Sequence, residues 1–290
     1  MKSERNKTLT IESLANKKNE LLKNVIFDTK TLNEKNITNK LICGDTLKII
    51  KKLPDNFVDL LITDPPYNLT KHYNDKSFNR KDDDEYEIWL DKWMSEIPRI
   101  MKPTGSLYFC GDFRSTPLYY NILKKYFYIQ NRITWERDKG RGAKKNWKNN
   151  IEDIFFCTMN SDDYTFNLQD VKVKKKVIAP YKDENGNAKD WFVENGEKYR
   201  YTCPSNVWTD ITVPYWSMSE NTEHPTQKPE KLIKRLITAS SNEGDFVLDL
   251  FAGSGTTLVS AFSMNRRYCG IELDEGYCML TEERLNRLMK

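Results

Sequence analysis

Two short stretches of this 290-residue chain hold residue types that could do chemistry. The first is Asp64-Pro65-Pro66-Tyr67, which follows the apolar run Val58-Asp59-Leu60-Leu61-Ile62-Thr63. A short run of that β-branched and leucine content predicts a buried strand, and two prolines stop it. The strand would deliver a carboxylate, two rigid peptide units and an aromatic ring to the carboxyl edge of a sheet, where open α/β sheets bind ligands. An acid beside a stiff turn and a stacking ring suits gripping a planar base by its amino group. The second stretch is Asp249-Leu250-Phe251-Ala252-Gly253-Ser254-Gly255-Thr256-Thr257. Strand, glycine turn and helix in succession let a ligand approach the backbone closely. Leu258 stands where a dinucleotide fingerprint has its third glycine, and no Gly-Lys-Ser/Thr follows, which argues against both a nicotinamide site and a P-loop. Glu272 ends the next strand, at roughly the 20-residue spacing where a carboxylate meets ribose hydroxyls. Together these point to an adenosine-type ligand.

The elements that must position these residues alternate. Strands are expected at Lys40–Gly44, Val58–Thr63, Ser106–Cys110, Tyr128–Trp135, Ile151–Thr158, Phe246–Leu250 and Arg267–Ile271. Asp45 caps a helix bearing Leu47, Ile50 and Leu53. A polar loop, Asn68 to Asp84, precedes a helix from Tyr86 to Met101 that Pro98 kinks or ends early. Pro117 starts another helix, and the stripe Leu232, Ile233, Leu236 and Ile237 marks one after Pro229. Helices at Leu258–Met264 and Glu275–Met289 complete a parallel, doubly wound α/β pattern. Residues 1–38 read as a helical arm with the stripe Ile11, Leu14, Leu21, Leu22, Val25 and Ile26. Residues 159–223 break the alternation and mix lysines with aromatics, a composition suited to nucleic acid as well as to a small β-rich core. The division is therefore an arm at 1–38, a main domain at 39–158 and 224–290, and an insert at 159–223.

Composition narrows the partners. Charged residues make up 30% and the mean hydropathy is −0.73, so the chain reads as soluble. The net charge of +4 is too mild to imply a polyanion by itself. A local basic run matters more: Arg137, Lys139, Arg141, Lys144, Lys145 and Lys148 surround two glycines and Trp147, and suit neutralising DNA phosphates. Six cysteines show no metal-ligand spacing and there are only two histidines, so no metal is expected and the thiols read as reduced. No apolar leader segment follows Met1, and no run reaches membrane-spanning length. The expected compartment is the cytoplasm, with no membrane partner.

Asp64-Pro65-Pro66-Tyr67 upstream and Phe251-Ala252-Gly253-Ser254-Gly255-Thr256 downstream resemble the β class of S-adenosylmethionine-dependent DNA amino-methyltransferases, the restriction–modification family. The resemblance runs from about Asn39 to the C-terminus, and His224-Pro225-Thr226-Gln227-Lys228-Pro229 is similar to the family's third cofactor motif. It implies a circularly permuted class I methyltransferase fold, Rossmann-like, with a mostly parallel sheet of seven strands and 159–223 as the target-recognition region. It implies S-adenosylmethionine as methyl donor, held by Asp45, Asp64, Thr226, Lys228, Asp249, Phe251, Gly253, Gly255, Thr256 and Glu272. It assigns Asp64, Pro65, Pro66 and Tyr67 to catalysis on a base flipped out of double-stranded DNA. Asp at the first motif position favours adenine N6, with cytosine N4 as the alternative. Rival readings are an RNA or protein amine methyltransferase and a non-catalytic DNA-binding module. A homodimer and an accompanying restriction endonuclease are left open.

Overall fold

The computed structural model describes residues 5–74, 76–137, 144–178 and 180–289. Its strands are β1 (Lys40–Cys43), β2 (Val58–Thr63), β3 (Lys71–Tyr73), β4 (Lys76–Phe78), β5 (Met101–Gly111), β6 (Tyr128–Glu136), β7 (Ile151–Thr158), β8 (Val173–Lys176), β9 (Phe192–Glu194), β10 (Glu197–Thr202), β11 (Val207–Trp208), β12 (Phe246–Asp249) and β13 (Arg267–Glu272). The central sheet has eight strands in the order β1-β13-β12-β2-β5-β7-β6-β11. From β1 to β5 every pairing is parallel; β7 runs antiparallel to both β5 and β6. The expectation of seven strands is thus corrected to eight. The added strand is β11, two residues from the insert, which pair Val207 with Thr134 and Trp208 with Trp135. Two residues carry no periodicity, so nothing in the sequence marks them as a strand.

The permuted order is visible in the register. β12 lies beside β2 with Val247 opposite Leu60 and Leu248 opposite Leu61, so both strands present their carboxyl ends at one edge. β1 pairs with β13, placing Cys43 opposite Glu272 at that same edge. Two apolar layers enclose the sheet. Leu60 and Ile62 of β2 join the layer containing helix Glu230–Ser240, while Leu61 joins the layer containing helix Asp83–Met94. Leu232, Ile233, Leu236 and Ile237 are all at most 2% exposed, each burial contributing roughly 1.5–3 kcal/mol.

Several segments differ from the sequence expectations. The helix expected to reach Met101 ends at Met94, and Pro98 sits in the first turn of a separate helix, Ile97–Ile100, where its missing N–H costs no hydrogen bond. The loop after Asn68 folds into the antiparallel hairpin β3–β4, closed at its base by Asn68, whose side chain bonds Lys81 in both directions. The arm is mostly short turns: a 3-10 helix at Glu12–Lys17, then Lys18–Leu22 and Glu34–Ile37. Its Leu9, Leu14 and Leu21 pack on Tyr277, Met279 and Leu280 of the last helix. Ile26 bonds Leu41 and Cys43 and so covers the free edge of β1. Within the insert, β8, β10 and β9 form a small antiparallel sheet, while Asn167 ties the insert to the end of helix Glu230–Ser240. Among the described residues no helix is long and apolar enough to cross a membrane.

Candidate active site

One cavity of about 360 Å³ opens along the shared carboxyl edge, a size typical of small-molecule sites. Its wall includes the Asp64–Tyr67 turn, the Gly253–Ser254 turn, Asp45, Thr226, Lys228, Asp249, Phe251, Thr256 and Glu272. The two motifs, far apart in sequence, meet because β2 and β12 are neighbours.

At the first motif the backbone is pinned. Pro65 is buried, and the Pro66 carbonyl accepts from the Tyr86 hydroxyl at 2.8 Å, itself 3.2 Å from the Tyr119 hydroxyl. The Asp64 carboxylate faces two donors. Its Oδ1 accepts from the Tyr67 hydroxyl at 2.7 Å, and its Oδ2 is ion-paired with Lys228. Lys228 also stands 3.2 Å from Glu152, whose other oxygen takes Arg137 at 2.8 Å. Burial by itself would depress the Lys228 ammonium, but the Asp64 and Glu152 charges outweigh it and hold it above an ordinary lysine. Burial, and then the Asp64 charge, push the Tyr67 phenol well up, so it stays a proton donor.

At the second motif the turn depends on two glycines in the left-handed region, Gly253 at φ +55° and Gly255 at φ +74°. A Cβ on Gly253 would lie 2.9 Å from the His224 ring, and one on Gly255 would lie 2.3 Å from the Thr281 methyl. Thr281 is fully buried and has nowhere to move. Gly255→Ala is therefore expected to lose about 1–3 kcal/mol to crowding alone and to weaken binding of an adenosine-type ligand; urea unfolding and a ligand titration check it. Asp249 shapes the same turn, accepting from Thr257 at 2.6 Å and from the Phe251 amide at 3.0 Å. Glu272 accepts the amides of Gly253 and Asp274, both at 2.8 Å.

Burial pushes the carboxyls of both Asp249 and Glu272 up to about 7. Each then holds its proton more tightly folded than unfolded, where the ordinary value is about 4. Their contribution to stability accordingly falls as pH rises from about 4 through about 7. Asp249→Asn should lessen that fall, as read by urea midpoints across that range.

The expected site residues distribute unevenly. Asp45 lines the cavity and also caps its helix, accepting from the Leu47 amide at 3.0 Å. Thr226 lines the cavity, and the Thr256 hydroxyl accepts from Arg284 at 3.0 Å. Lys228 departs from expectation: its ammonium is spent on Asp64 and Glu152, at the first motif. Arg137, expected on DNA phosphate, instead turns into the cavity wall, because the buried Glu152 carboxylate needs a countercharge. Lys144, Lys145 and Lys148 are exposed, beside a Trp147 that is 92% exposed; Lys139 and Arg141 lie outside the described residues.

Sequence reasoning missed four contributors. Glu152 is one, although two adjacent acids, Glu152 and Asp153, at the head of the apolar run Ile154–Cys157 were a usable signal. Lys71 and Tyr73, on the β3–β4 hairpin, line the cavity from a segment read as plain loop. His224, which opens the third motif without an expected role, stacks edge-on against Tyr277 at 4.5 Å and roofs Gly253; burial pushes its pKa down to about 4, so it is neutral.

Known proteins give the chain a family. The DNA methylase family model, which covers N6 and N4 methylases, matches residues 58–283. The chain is 36% identical over 253 residues to the Type II methyltransferase M.HpaI of Haemophilus parainfluenzae, covering 85% of this chain and 74% of that protein. It is 36% identical over 251 residues to the DNA adenine methyltransferase YhdJ of Escherichia coli K12, covering 85% and 82%. Among solved structures, the M1.HpyAVI–SAM complex superposes with a TM-score of 0.58 at 21% identity, covering 85% of this chain and 98% of that one, a likeness of fold. The chain belongs to the N6/N4 DNA methylase family.

Proposed function

We propose that this protein transfers a methyl group from S-adenosylmethionine to the N6 amine of an adenine flipped out of double-stranded DNA. The observation that carries the reading is that the Asp64–Tyr67 edge and the Gly253–Ser254 edge line one cavity. The residues present fit the donor. The left-handed turn at Gly253 and Gly255 packs too tightly against His224 and Thr281 to carry side chains and brings the Gly253–Ser254 backbone to the cavity, where Phe251 offers an apolar face and Glu272 and Asp45 offer carboxylates for hydroxyl and amine hydrogens. When bound, S-adenosylmethionine would supply an electrophilic methyl on a cationic sulfur, which would keep the bonding pair and leave as a neutral thioether, while the methylated amine would return to neutrality by giving up one proton to water.

The chain's own work is at the amine. An exocyclic amine is a weak nucleophile because its lone pair is delocalised into the ring. Asp64 and the Pro65 carbonyl each accept one amine hydrogen, which draws the nitrogen towards tetrahedral geometry and frees the lone pair. The pinned turn holds both acceptors in place beforehand, so catalysis is positioning and electrostatics. Tyr67 stacks on the extruded base. The Cys110 thiol is buried at the cavity and its pKa is pushed well up by burial, so it offers no nucleophile for a covalent route.

Adenine is favoured over cytosine by Asp64 at the first motif position and by the relative named as a DNA adenine methyltransferase. On the same reading, residues 159–223 contact the target sequence, where Lys174 sits 4.5 Å over the Tyr199 ring and Lys198 sits 4.9 Å over Trp191. The exposed Lys144, Lys145 and Lys148 neutralise phosphates. The protein works in the cytoplasm. Single-molecule sequencing of DNA from cells expressing the chain gives the target. Digestion of that DNA to nucleosides gives the base: N6-methyladenine is expected, and N4-methylcytosine or no modified base would overturn the reading.

A further inference from the structure

We propose that Glu152 is a positioning residue for methyl transfer: it receives the Tyr67 hydroxyl when the target amine takes Asp64, and it keeps Lys228 seated between the two carboxylates during that exchange. The inference rests on Asp64 being the amine acceptor.

Both oxygens of Asp64 are engaged, Oδ1 by the Tyr67 hydroxyl at 2.7 Å and Oδ2 by Lys228. A hydroxyl has one proton to donate. Oδ1 can accept a second donor, but an amine closing on it crowds the Tyr67 hydroxyl, and a buried donor drawn off its partner is costly unless another acceptor stands ready. A second acceptor is already in place. Glu152 Oε2 lies 3.4 Å from the Tyr67 hydroxyl, at the long limit of a hydrogen bond, so a small ring movement completes it.

The rest of the Glu152 environment fits that task. The residue is 7% exposed near the start of β7, where a lone carboxylate would be very costly. Arg137 on Oε1 at 2.8 Å satisfies it as a structural group. Oε2 then remains directed at Lys228, 3.2 Å away, and at Tyr67. Asp64, Glu152, Lys228 and Arg137 set two carboxylates against two cations, with Lys71 as a further cation on the same cavity wall. The exchange moves one hydrogen bond and no net charge. Loss of the Glu152 charge would leave a net positive charge beside an amine that itself becomes positive as it is methylated.

The test uses the full chain on duplex DNA carrying the mapped target, with DNA and S-adenosylmethionine saturating and one turnover followed. Glu152→Gln is expected to slow the chemical step about 10- to 100-fold, the scale of a misplaced reacting group. Tyr67→Phe keeps the ring and removes the hydroxyl. Adding Glu152→Gln to it should cost less than Glu152→Gln costs alone, because the shared hydrogen bond is already gone and only the hold on Lys228 is left to lose. Full multiplication of the two losses, or a wild-type rate for Glu152→Gln, overturns the proposal. Should Glu152→Gln not fold, Glu152→Asp keeps the charge and withdraws the acceptor by one methylene; a smaller loss with the same coupling to Tyr67→Phe is expected, and a wild-type rate overturns it. Asp64→Ala in parallel separates the two ideas: unchanged transfer there removes the underlying reading, whereas failure confined to the Glu152 variants removes only this one.

Discussion

Asp64→Ala is expected to lower the rate of methyl transfer by at least about 10²–10³-fold, the usual cost of removing one preorganised group from a reacting centre. The carboxylate does two things that nothing nearby replaces. It offers the acceptor towards which an amine hydrogen must point, and it holds Lys228 and the Tyr67 hydroxyl at fixed places. Asp64→Asn keeps an oxygen acceptor of similar shape but gives up the charge, and should fall between Ala and the parent. Folding should survive in both, because Lys228 still has Glu152 at 3.2 Å and the Pro66 carbonyl is still held by Tyr86. A single-turnover assay with labelled methyl donor reads the rate directly. Transfer by Asp64→Ala at the parental rate would sink the mechanism.

Lys228→Met is expected to be the most damaging change to stability. Lys228 is 8% exposed and faces two carboxylates, one of them itself 7% exposed. Methionine matches the stem in length but leaves Asp64 without a countercharge and Glu152 with Arg137 alone. Breaking a buried ion pair by removing one partner costs about 3–5 kcal/mol. The pH dependence has a defined sign. The folded ammonium is held above the ordinary lysine value. Its stabilisation is then fully present below about 10.4, the unfolded value, and is lost only as pH rises beyond that through the folded one. The deficit of Lys228→Met in urea should therefore stay constant between about pH 6 and 9. A deficit that vanished within that range would show that the ion pair does not carry the effect. Methyl transfer should fall with it, because an unbalanced Asp64 no longer keeps its place beside Tyr67.

The sequence by itself determined the two chemical edges. Val58–Thr63 has the length and β-branched content of a buried strand, and two prolines end it, which sets an acid and a ring at its carboxyl end. Gly253 and Gly255 demanded a turn that only glycine makes easily, and Glu272 had to close the next strand. These are local statements, and strand, turn and cap chemistry is local. Tertiary structure decided whatever depends on which strand neighbours which. That β12 lies against β2, bringing Gly253 to Asp64, is set by burying both faces of the sheet at once. The same packing carried Lys228 to Asp64 and Glu152, and folded the β3–β4 hairpin over the cavity. It also recruited Val207–Trp208 as an eighth strand, because the exposed edge of β6 offered unpaired backbone groups that two residues sufficed to cover. No spacing in the chain encodes those meetings, since a buried charge finds its partner through the fold and not along the sequence.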